Sequence, residues 1–172
     1  MPKFVDFARH AAKQKNVSYY TQNFILYPKR LRSLALPVDL KWSRIRFSKA
    51  NLNRIVLKPG VYAFVIGEDD PNLPAHGYVV YVGQTGAKRN DRTLRNRAKE
   101  YLREKSRPKR MAVFDFLNKW QRSLFFHFAP VDSAVTDLLS IESKLNDALM
   151  PPYSHQDFSP EVRTEKKIWE KS

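Results

Sequence analysis

Two short apolar stretches of the chain, residues 60–66 and 78–83, are separated by a polar stretch, residues 67–77, that contains glycine, proline and three consecutive acids. Both apolar stretches are rich in β-branched and aromatic residues, which favour extended backbone, whereas the composition between them is typical of a turn. The pattern therefore predicts a strand, a long polar turn and a second strand that together form a β-hairpin.

The alternation of side chains along a strand also predicts which hairpin residues share a face of the sheet. Tyr62 shares a face with Phe64 and Ile66, and Tyr81 shares one with Val79. Both faces of the hairpin are apolar, which is typical of strands that are covered on both sides. We therefore expect the hairpin to lie in the centre of its sheet rather than at an edge.

The rest of the chain carries apolar residues mostly at helical spacing, with one more run that is typical of a strand. The predicted elements are helices over residues 4–12, 93–105, 111–122 and from Asp132 or Ser133 to Leu149, and a third strand over residues 123–130. A proline pair, Pro151-Pro152, ends the last helix. These elements predict a small α/β (α+β) domain with a three-stranded, mainly antiparallel sheet flanked by helices.

A chain of 172 residues is long enough for one domain with a hydrophobic core. We divide it into an N-terminal arm, residues 1–58, a domain, residues 59–155, and a C-terminal tail, residues 156–172. Aromatic and basic side chains are interleaved over residues 16–58. Two interpretations of the arm are open: its rings pack on the core and leave a solvated basic face, or it contacts nucleic acid by phosphate pairing and stacking.

Two charged residues lie on the apolar, inward stripes of predicted helices. Arg97 is three residues after Leu94 and four before Tyr101, and Glu142 completes a leucine stripe that includes Leu145. A buried charge is costly unless it is paired, lines a cleft or holds a metal. The periodicity permits an internal salt bridge between the two, or a cleft where the arginine faces a phosphate and the glutamate holds a divalent cation.

The composition indicates a polyanionic partner, because the net charge is +14 and the isoelectric point is about 10.1. Nucleic acid and an anionic membrane surface both fit that charge. We expect a soluble, intracellular, cytoplasmic protein with no membrane association, since no apolar run reaches the ~18 residues of a span and the first residues lack a signal peptide. The absence of cysteine excludes disulfides, thiolate zinc sites and cysteine nucleophiles, and the four histidines are scattered.

Basic residues are concentrated after the hairpin, in and around the helix predicted over residues 93–105. They form either a solvated face or a phosphate-binding surface, and few acids offset them. The candidate nucleic-acid-binding residues are Lys88, Arg89, Arg92, Arg95, Lys99, Arg103, Arg107, Lys109 and Arg110.

The order of the singled-out residues resembles the pattern of the GIY-YIG nuclease family. Gly60-Val61-Tyr62 and Tyr81-Val82-Gly83 are similar to the two tripeptides that name the family, with valine in place of isoleucine. Arg97 resembles the family arginine on the helix after the second tripeptide, and Glu142 resembles the metal-binding glutamate of a later helix. The resemblance extends over residues 60–154.

The end of the matched region departs from the family pattern. Pro151-Pro152-Tyr153-Ser154 resembles the family's Pro-x-Tyr-Asn turn, but Ser154 stands where asparagine is usual. Ser154 is a candidate orienting residue, and Asn146 and His155 are the alternatives. The acids at residues 68–70 belong either to a peripheral turn or to a feature that limits which substrate enters.

The resemblance implies phosphodiester hydrolysis with Tyr62, Tyr81, Arg97 and Glu142 as catalytic residues. Glu142 would hold Mg²⁺ or Mn²⁺, and Arg97 would hold the phosphate through its fork of donors. Tyr62 would orient or deprotonate the attacking water, and Tyr81 would hydrogen-bond within the cluster or, alternatively, pack in the core.

The sequence thus predicts a metal-dependent endonuclease that acts on nucleic acid, DNA rather than RNA, as a monomer or weak homodimer. The alternative is a non-catalytic nucleic-acid-binding protein that retains the scaffold. A membrane-surface protein would need a basic helix with a free apolar face, and the basic helix here uses its apolar stripe for the core.

Overall fold

The computed structural model describes residues 18–87, 92–106, 109–134, 136–154 and 158–169. The helix predicted over residues 4–12 lies outside these ranges. The elements are α1 (Pro28–Arg32), β1 (Ser43–Arg46), a 3₁₀ segment (Lys49–Arg54), β2 (Gly60–Ile66), β3 (Tyr78–Thr85), α2 (Leu94–Glu104), α3 (Met111–Lys119), β4 (Leu124–Pro130), α4 (Leu138–Leu149) and α5 (Pro160–Trp169).

The fold is α+β, and its antiparallel sheet has four strands in the order β1-β4-β2-β3. The predicted hairpin and third strand are confirmed as β2, β3 and β4. The prediction of three strands is wrong, because β1 pairs with β4 at the opposite edge from β3. This strand has only four residues, two of them arginines, so its sequence carries almost no alternation that could predict it.

Residues 43–58 contribute to the sheet and the core, although the sequence assigned them to the arm. Ile45 in β1 is buried, as are Phe47, Leu52 and Ile55 in the segment that follows. All four belong to the same core cluster as the rings of β2 and β4. The folded core therefore begins before the boundary placed at residue 58.

The two faces of the sheet have separate cores. One face packs against α2 and α3, and its buried residues include Tyr62, Phe64, Tyr81, Leu94, Tyr101, Phe116 and Phe126. The other face packs against α4, and its buried residues include Val61, Ala63, Val82, Leu138, Ile141 and Leu145. Arg97 and Glu142 thus approach the sheet from opposite faces.

A bulge in the hairpin changes the faces that period-two alternation predicts. Phe64 pairs with Tyr81 and Val65 pairs with Val79, so Val80 is the extra residue. Because Phe64 and Val65 point to opposite faces, Tyr81 and Val79 do too, and the prediction that they share a face is wrong.

The hairpin is not central, because β2 has neighbours on both sides whereas β3 is an edge strand. An uncovered strand edge leaves backbone donors and acceptors unpaired. Three hydrogen bonds cover this edge: Val82 N–H to Ser154 Oγ, Gln84 N–H to Glu142 Oε1, and Tyr153 N–H to Val80 O.

The helix before the proline pair begins later than predicted. Asp137 caps α4 by accepting hydrogen bonds from the N–H groups of Leu139 and Ser140, whereas Asp132 accepts one from Ala134 in a turn. The prediction that this helix starts at Asp132 or Ser133 is therefore wrong. An aspartate does cap its first turn, but it is Asp137. The helix ends as predicted, with Met150 in the left-handed region before Pro151.

The loop between β2 and β3 lies at the Ile66 end of β2. Asp69 pairs with Arg44 at 2.9 Å, and Glu68 pairs with Arg46 at 3.7 Å, so these acids neutralise arginines of β1. The loop acids are thus engaged at the end of β2 opposite to Gly60.

Among the described residues, no helix combines the length and the apolar character needed to cross a bilayer.

Candidate active site

The side chain of Arg97 joins three polar groups on the α2 face of the sheet. Thr93 caps α2, and Arg97 lies three residues after the buried Leu94, on the side of this helix that faces β2. Its Nε donates to the Tyr62 hydroxyl at 3.1 Å and its Nη2 to the Tyr101 hydroxyl at 3.4 Å. Its Nη1 pairs with Glu100 at 2.5 Å. The ion pair of Arg97 in this structure is therefore with Glu100 rather than with Glu142.

Tyr62 is the buried anchor of this cluster. Its side chain is 1% exposed, and its hydroxyl lies 2.8 Å from that of Tyr101. Burial is the main cause that raises the pKa of Tyr62 above its usual value, and the nearby Tyr81 adds to it while Arg97 partly offsets it. Burial likewise raises the pKa of Tyr101. Both hydroxyls are consequently neutral at physiological pH.

Arg97 remains charged despite being only 21% exposed. Burial by itself lowers its pKa, but interactions with Tyr62, Tyr101 and Glu100 outweigh this effect and raise the pKa above its usual value. Two buried hydroxyls therefore hold a permanently charged guanidinium in one orientation, which is the arrangement needed to bind an oxyanion with little reorganisation.

A second arginine shares the ring of Tyr101. The guanidinium carbons of Arg97 and Arg110 lie 4.8 and 5.1 Å from the ring centroid, and Arg110 pairs with Glu104 at 2.7 Å. Sequence reasoning used Tyr101 as part of an apolar stripe and as the aromatic residue four positions after Arg97, without assigning it to the site, and did not single out Glu100 or Glu104. The spacing contained the signal, because residues three and four positions after Arg97 share its face of the helix.

The side chains of Arg97 and Arg110 lie in the wall of a cleft of about 730 Å³. Among the described residues, five cations and two carboxylates line it: Arg92, Arg97, Arg103, Lys109, Arg110, Glu100 and Glu104. The net positive lining suits a phosphate backbone. Four predicted nucleic-acid-binding residues therefore line the same cleft as Arg97: Arg92, Arg103, Lys109 and Arg110.

Two other predicted nucleic-acid-binding residues lie elsewhere on α2. Arg95 donates to the backbone carbonyls of Ile55 and Asn53, at 2.6 and 2.9 Å, so its guanidinium ties α2 to the 3₁₀ segment. Lys99 is exposed and does not line the cleft. Three further candidates, Lys88, Arg89 and Arg107, lie outside the described residues.

Glu142 reaches the same end of β3 from the opposite face. Its half-buried side chain accepts a hydrogen bond from Gln84 N–H at 3.0 Å. Gly83, the preceding residue, is paired with Tyr62 across the hairpin. Arg97 bonds to Tyr62, the strand partner of Gly83, and Glu142 bonds to Gln84. The two charged side chains are thus linked to consecutive residues of β3.

The donor set at Glu142 fits a hard divalent cation held mostly by water. One carboxylate supplies oxygen ligands of the type that Mg²⁺ and Mn²⁺ prefer, and Mg²⁺ usually keeps several waters beside one or two carboxylates. No group of three or more His, Asp or Glu side chains is arranged to hold a metal within the part of the chain that the structure describes. With the described residues alone, a cation at Glu142 would take its other ligands from water and substrate oxygens.

The remaining predicted site residues have distinct surroundings. Tyr81 is 8% exposed and stacks between Tyr62 and Phe116, with centroids at 6.5 and 5.8 Å, so its ring packs in the core. Ser154 is buried against β3, where its hydroxyl accepts from Val82 N–H at 3.2 Å. His155 lies outside the described residues.

Asn146 follows Glu142 by one helical turn and is completely buried. Neither its amide nitrogen nor its amide oxygen has a hydrogen-bond partner among the described residues. Such an amide is destabilising unless a water or a ligand satisfies it.

Comparisons with protein-family models, with curated proteins and with solved structures found no match to this chain. The assignment of a function therefore depends on the geometry of the site and on the resemblance of its motifs.

We expect Asn146→Leu to raise the melting temperature by about 2–4 °C, because an apolar side chain of similar volume replaces an amide without partners. Thermal unfolding followed by circular dichroism measures the shift. Asn118→Leu is the matched control and should lower the melting temperature, since the Asn118 amide donates to Phe114 O at 2.9 Å. A marked loss of stability in Asn146→Leu would contradict the prediction and indicate an ordered water on the amide.

We expect Gly83→Ala to lower the free energy of unfolding by about 1–3 kcal/mol through overpacking. A Cβ at Gly83 would lie 2.4 Å from the Tyr62 hydroxyl oxygen and 2.6 Å from the adjacent ring carbon. Denaturant unfolding measures the loss, and Gly67→Ala, whose Cβ would meet its nearest atom at 3.3 Å, should cost less. Equal stability of Gly83→Ala and the wild type would show that the Tyr62 ring is not held as described.

Proposed function

We propose that this protein is a metal-dependent endonuclease that hydrolyses phosphodiester bonds in DNA, with a site of the GIY-YIG type. The observation that carries the proposal is the Arg97 cluster, in which two buried tyrosine hydroxyls orient a charged guanidinium at the wall of a basic cleft. Glu142, bonded to the same end of β3, supplies the carboxylate that such a site requires.

In this proposal Arg97 binds the scissile phosphate. Its Nη1, which pairs with Glu100 in the free protein, exchanges that carboxylate for a phosphate oxygen, while Nε remains bonded to Tyr62. Charge develops on the phosphate oxygens during hydrolysis, and an oriented guanidinium stabilises that charge without rearranging. Arg92, Arg103 and Lys109 hold the neighbouring backbone phosphates.

Tyr62 acts here by positioning Arg97 rather than by removing a proton from water. Its hydroxyl is buried, is shared between Arg97 and Tyr101, and has a raised pKa, all of which oppose its use as a base. Its contribution is to keep the guanidinium in place. Tyr81 supports the ring of Tyr62 by stacking.

Mg²⁺ or Mn²⁺ would be held by Glu142 and would supply Lewis-acid activation of water and of the phosphate. The hydrogen bond from Gln84 N–H to Glu142 Oε1 fixes the carboxylate at this end of β3. In this proposal the protein acts in the cytoplasm, as a monomer or weak homodimer.

The experiment that tests the proposal is the conversion of supercoiled plasmid to nicked or linear forms with Mg²⁺, with Mn²⁺ and with a chelator. We expect cleavage with either metal and none with the chelator. Cleavage that persists in the chelator would contradict a metal-dependent site. Absence of cleavage on plasmid, on RNA and on branched DNA would reject the endonuclease.

A second candidate, a non-catalytic nucleic-acid-binding protein, is favoured by Ser154. Its hydroxyl is committed to the edge of β3, and it therefore does not replace the orienting asparagine of the family pattern. This candidate predicts salt-sensitive binding without cleavage, with a slope of about 0.9 in log Kd against log salt for each duplex phosphate contacted.

A further inference from the structure

Four side chains beside the carboxyl end of α3 form a surface that we name the aromatic platform: Tyr19, Tyr20, Lys119 and Trp120. Tyr19 and Tyr20 are each 49% exposed and meet edge to face, with ring centroids 5.0 Å apart. The ring centroid of Tyr20 lies 5.4 Å from that of Trp120, which is partly buried against the core. The platform is therefore anchored on one side and open to solvent on the other.

Lysine 119 lies between the rings of the platform. Its Nζ is 5.7 Å from the Tyr19 centroid and 5.2 Å from the Trp120 centroid, and it donates to Thr21 O at 3.2 Å. A cavity of about 460 Å³ opens beside it, with a lining that includes Tyr20, Trp120 and Arg122. That volume is within the range of about 300–1,000 Å³ typical of small-molecule sites.

Two described acids near this surface, Glu68 and Asp115, are engaged by other groups. Glu68 pairs with Arg46 and accepts a hydrogen bond from Ser123, and Asp115 accepts one from the Tyr153 hydroxyl at 2.8 Å. Within the described part of the chain, the cavity lining contains the cations Lys119 and Arg122 and no carboxylate. Exposed rings interleaved with cations are the combination that binds unpaired nucleotides, since bases stack on aromatic faces and phosphates pair with cations.

The platform is linked to the edge of β3 by packed side chains. Trp120 follows Phe116 by one helical turn, and the ring of Phe116 lies 5.3 Å from that of Tyr153. Tyr153 in turn bonds to β3 and precedes Ser154, which covers the same strand edge as Glu142. Packed side chains thus join the platform to the edge of β3 that Glu142 also contacts.

We propose that the aromatic platform binds an unpaired nucleobase, with Tyr20 and Trp120 as stacking surfaces and Lys119 and Arg122 as phosphate contacts. The inference rests on the proposed function for its choice of nucleic acid as the ligand, and it narrows the substrate to DNA with a single-stranded segment beside the cleaved bond. It also gives a role to half-exposed rings that contribute little to the core.

The test is the affinity of the full-length protein for a labelled oligothymidine and for a blunt duplex of the same length, measured by fluorescence anisotropy in chelator. We expect Tyr20→Ala to weaken oligothymidine binding about tenfold and to leave duplex binding within about twofold. Tyr20→Phe keeps the ring and should bind like the wild type. Phe24→Ala is the matched control, because Phe24 belongs to the same segment but packs against Tyr78 instead, with ring centroids 5.0 Å apart.

Several results would contradict the proposal that the aromatic platform binds an unpaired nucleobase. Unchanged oligothymidine affinity in Tyr20→Ala, or equal weakening in Tyr20→Ala and Phe24→Ala, would show that the rings only pack the segment on α3. Binding of the wild type to anionic lipid vesicles but not to oligothymidine would assign the surface to a membrane.

The experiments distinguish rejection of nucleobase binding at the aromatic platform from rejection of the endonuclease activity. If Tyr20→Ala binds oligothymidine normally while metal-dependent plasmid cleavage is present, the platform is rejected and the endonuclease is supported. If no nucleic acid is cleaved while Tyr20-dependent oligothymidine binding persists, the platform is supported and the endonuclease is rejected.

Discussion

Glu142→Gln is expected to abolish metal-dependent cleavage, with a loss of about a thousandfold or more, while the protein remains folded. The amide oxygen of glutamine can still accept the hydrogen bond from Gln84 N–H, so the link between α4 and β3 is kept. The negative charge that would hold the cation is removed. A metal ion typically contributes several kcal/mol to the stabilisation of a phosphoryl transition state, which corresponds to a loss of this size.

Two measurements separate this effect from a structural one. The melting temperature of Glu142→Gln should stay close to that of the wild type, and Mn²⁺ binding, followed by electron paramagnetic resonance, should be lost. Glu161→Gln is the matched control, because Glu161 is exposed in the first turn of α5 and should leave both properties unchanged. Retained Mn²⁺ binding and cleavage in Glu142→Gln would refute the assignment of Glu142 as the metal ligand.

Arg97→Lys is expected to lower the cleavage rate about a hundred- to a thousandfold although the positive charge is retained. Arg97 uses separate nitrogens for Tyr62, Tyr101 and Glu100, and an ammonium group has no planar fork to reproduce that geometry. A single lost electrostatic contact to a transition state typically has this effect. Single-turnover cleavage of a labelled duplex measures the rate of the chemical step without product release.

Arg103→Lys provides the control for general charge. Arg103 lines the same cleft but is exposed, so its replacement by lysine should change the rate by less than about tenfold and leave the salt dependence of binding unaltered. Equal rates for Arg97→Lys and the wild type would mean that Arg97 serves only to satisfy the buried hydroxyls of Tyr62 and Tyr101.

The sequence determined the local framework of the candidate site. Period-two alternation placed Tyr62 on the face of Phe64, and helical spacing placed Arg97 on the stripe of Leu94 and Tyr101, as the structure shows. These features depend on residues a few positions apart. Backbone geometry repeats over such distances, so the pattern in the sequence is sufficient to predict them.

The tertiary structure decided which groups meet. The hydrogen bond between Tyr62 and Tyr101 joins residues 39 positions apart, and that between Gln84 and Glu142 joins residues 58 positions apart. The position of β3 at the edge, and the bulge that separates Tyr81 from Val79, follow from strand pairing across the whole sheet. Periodicity identifies the inward face of each element but not its partner, because the partner depends on how all the elements pack together.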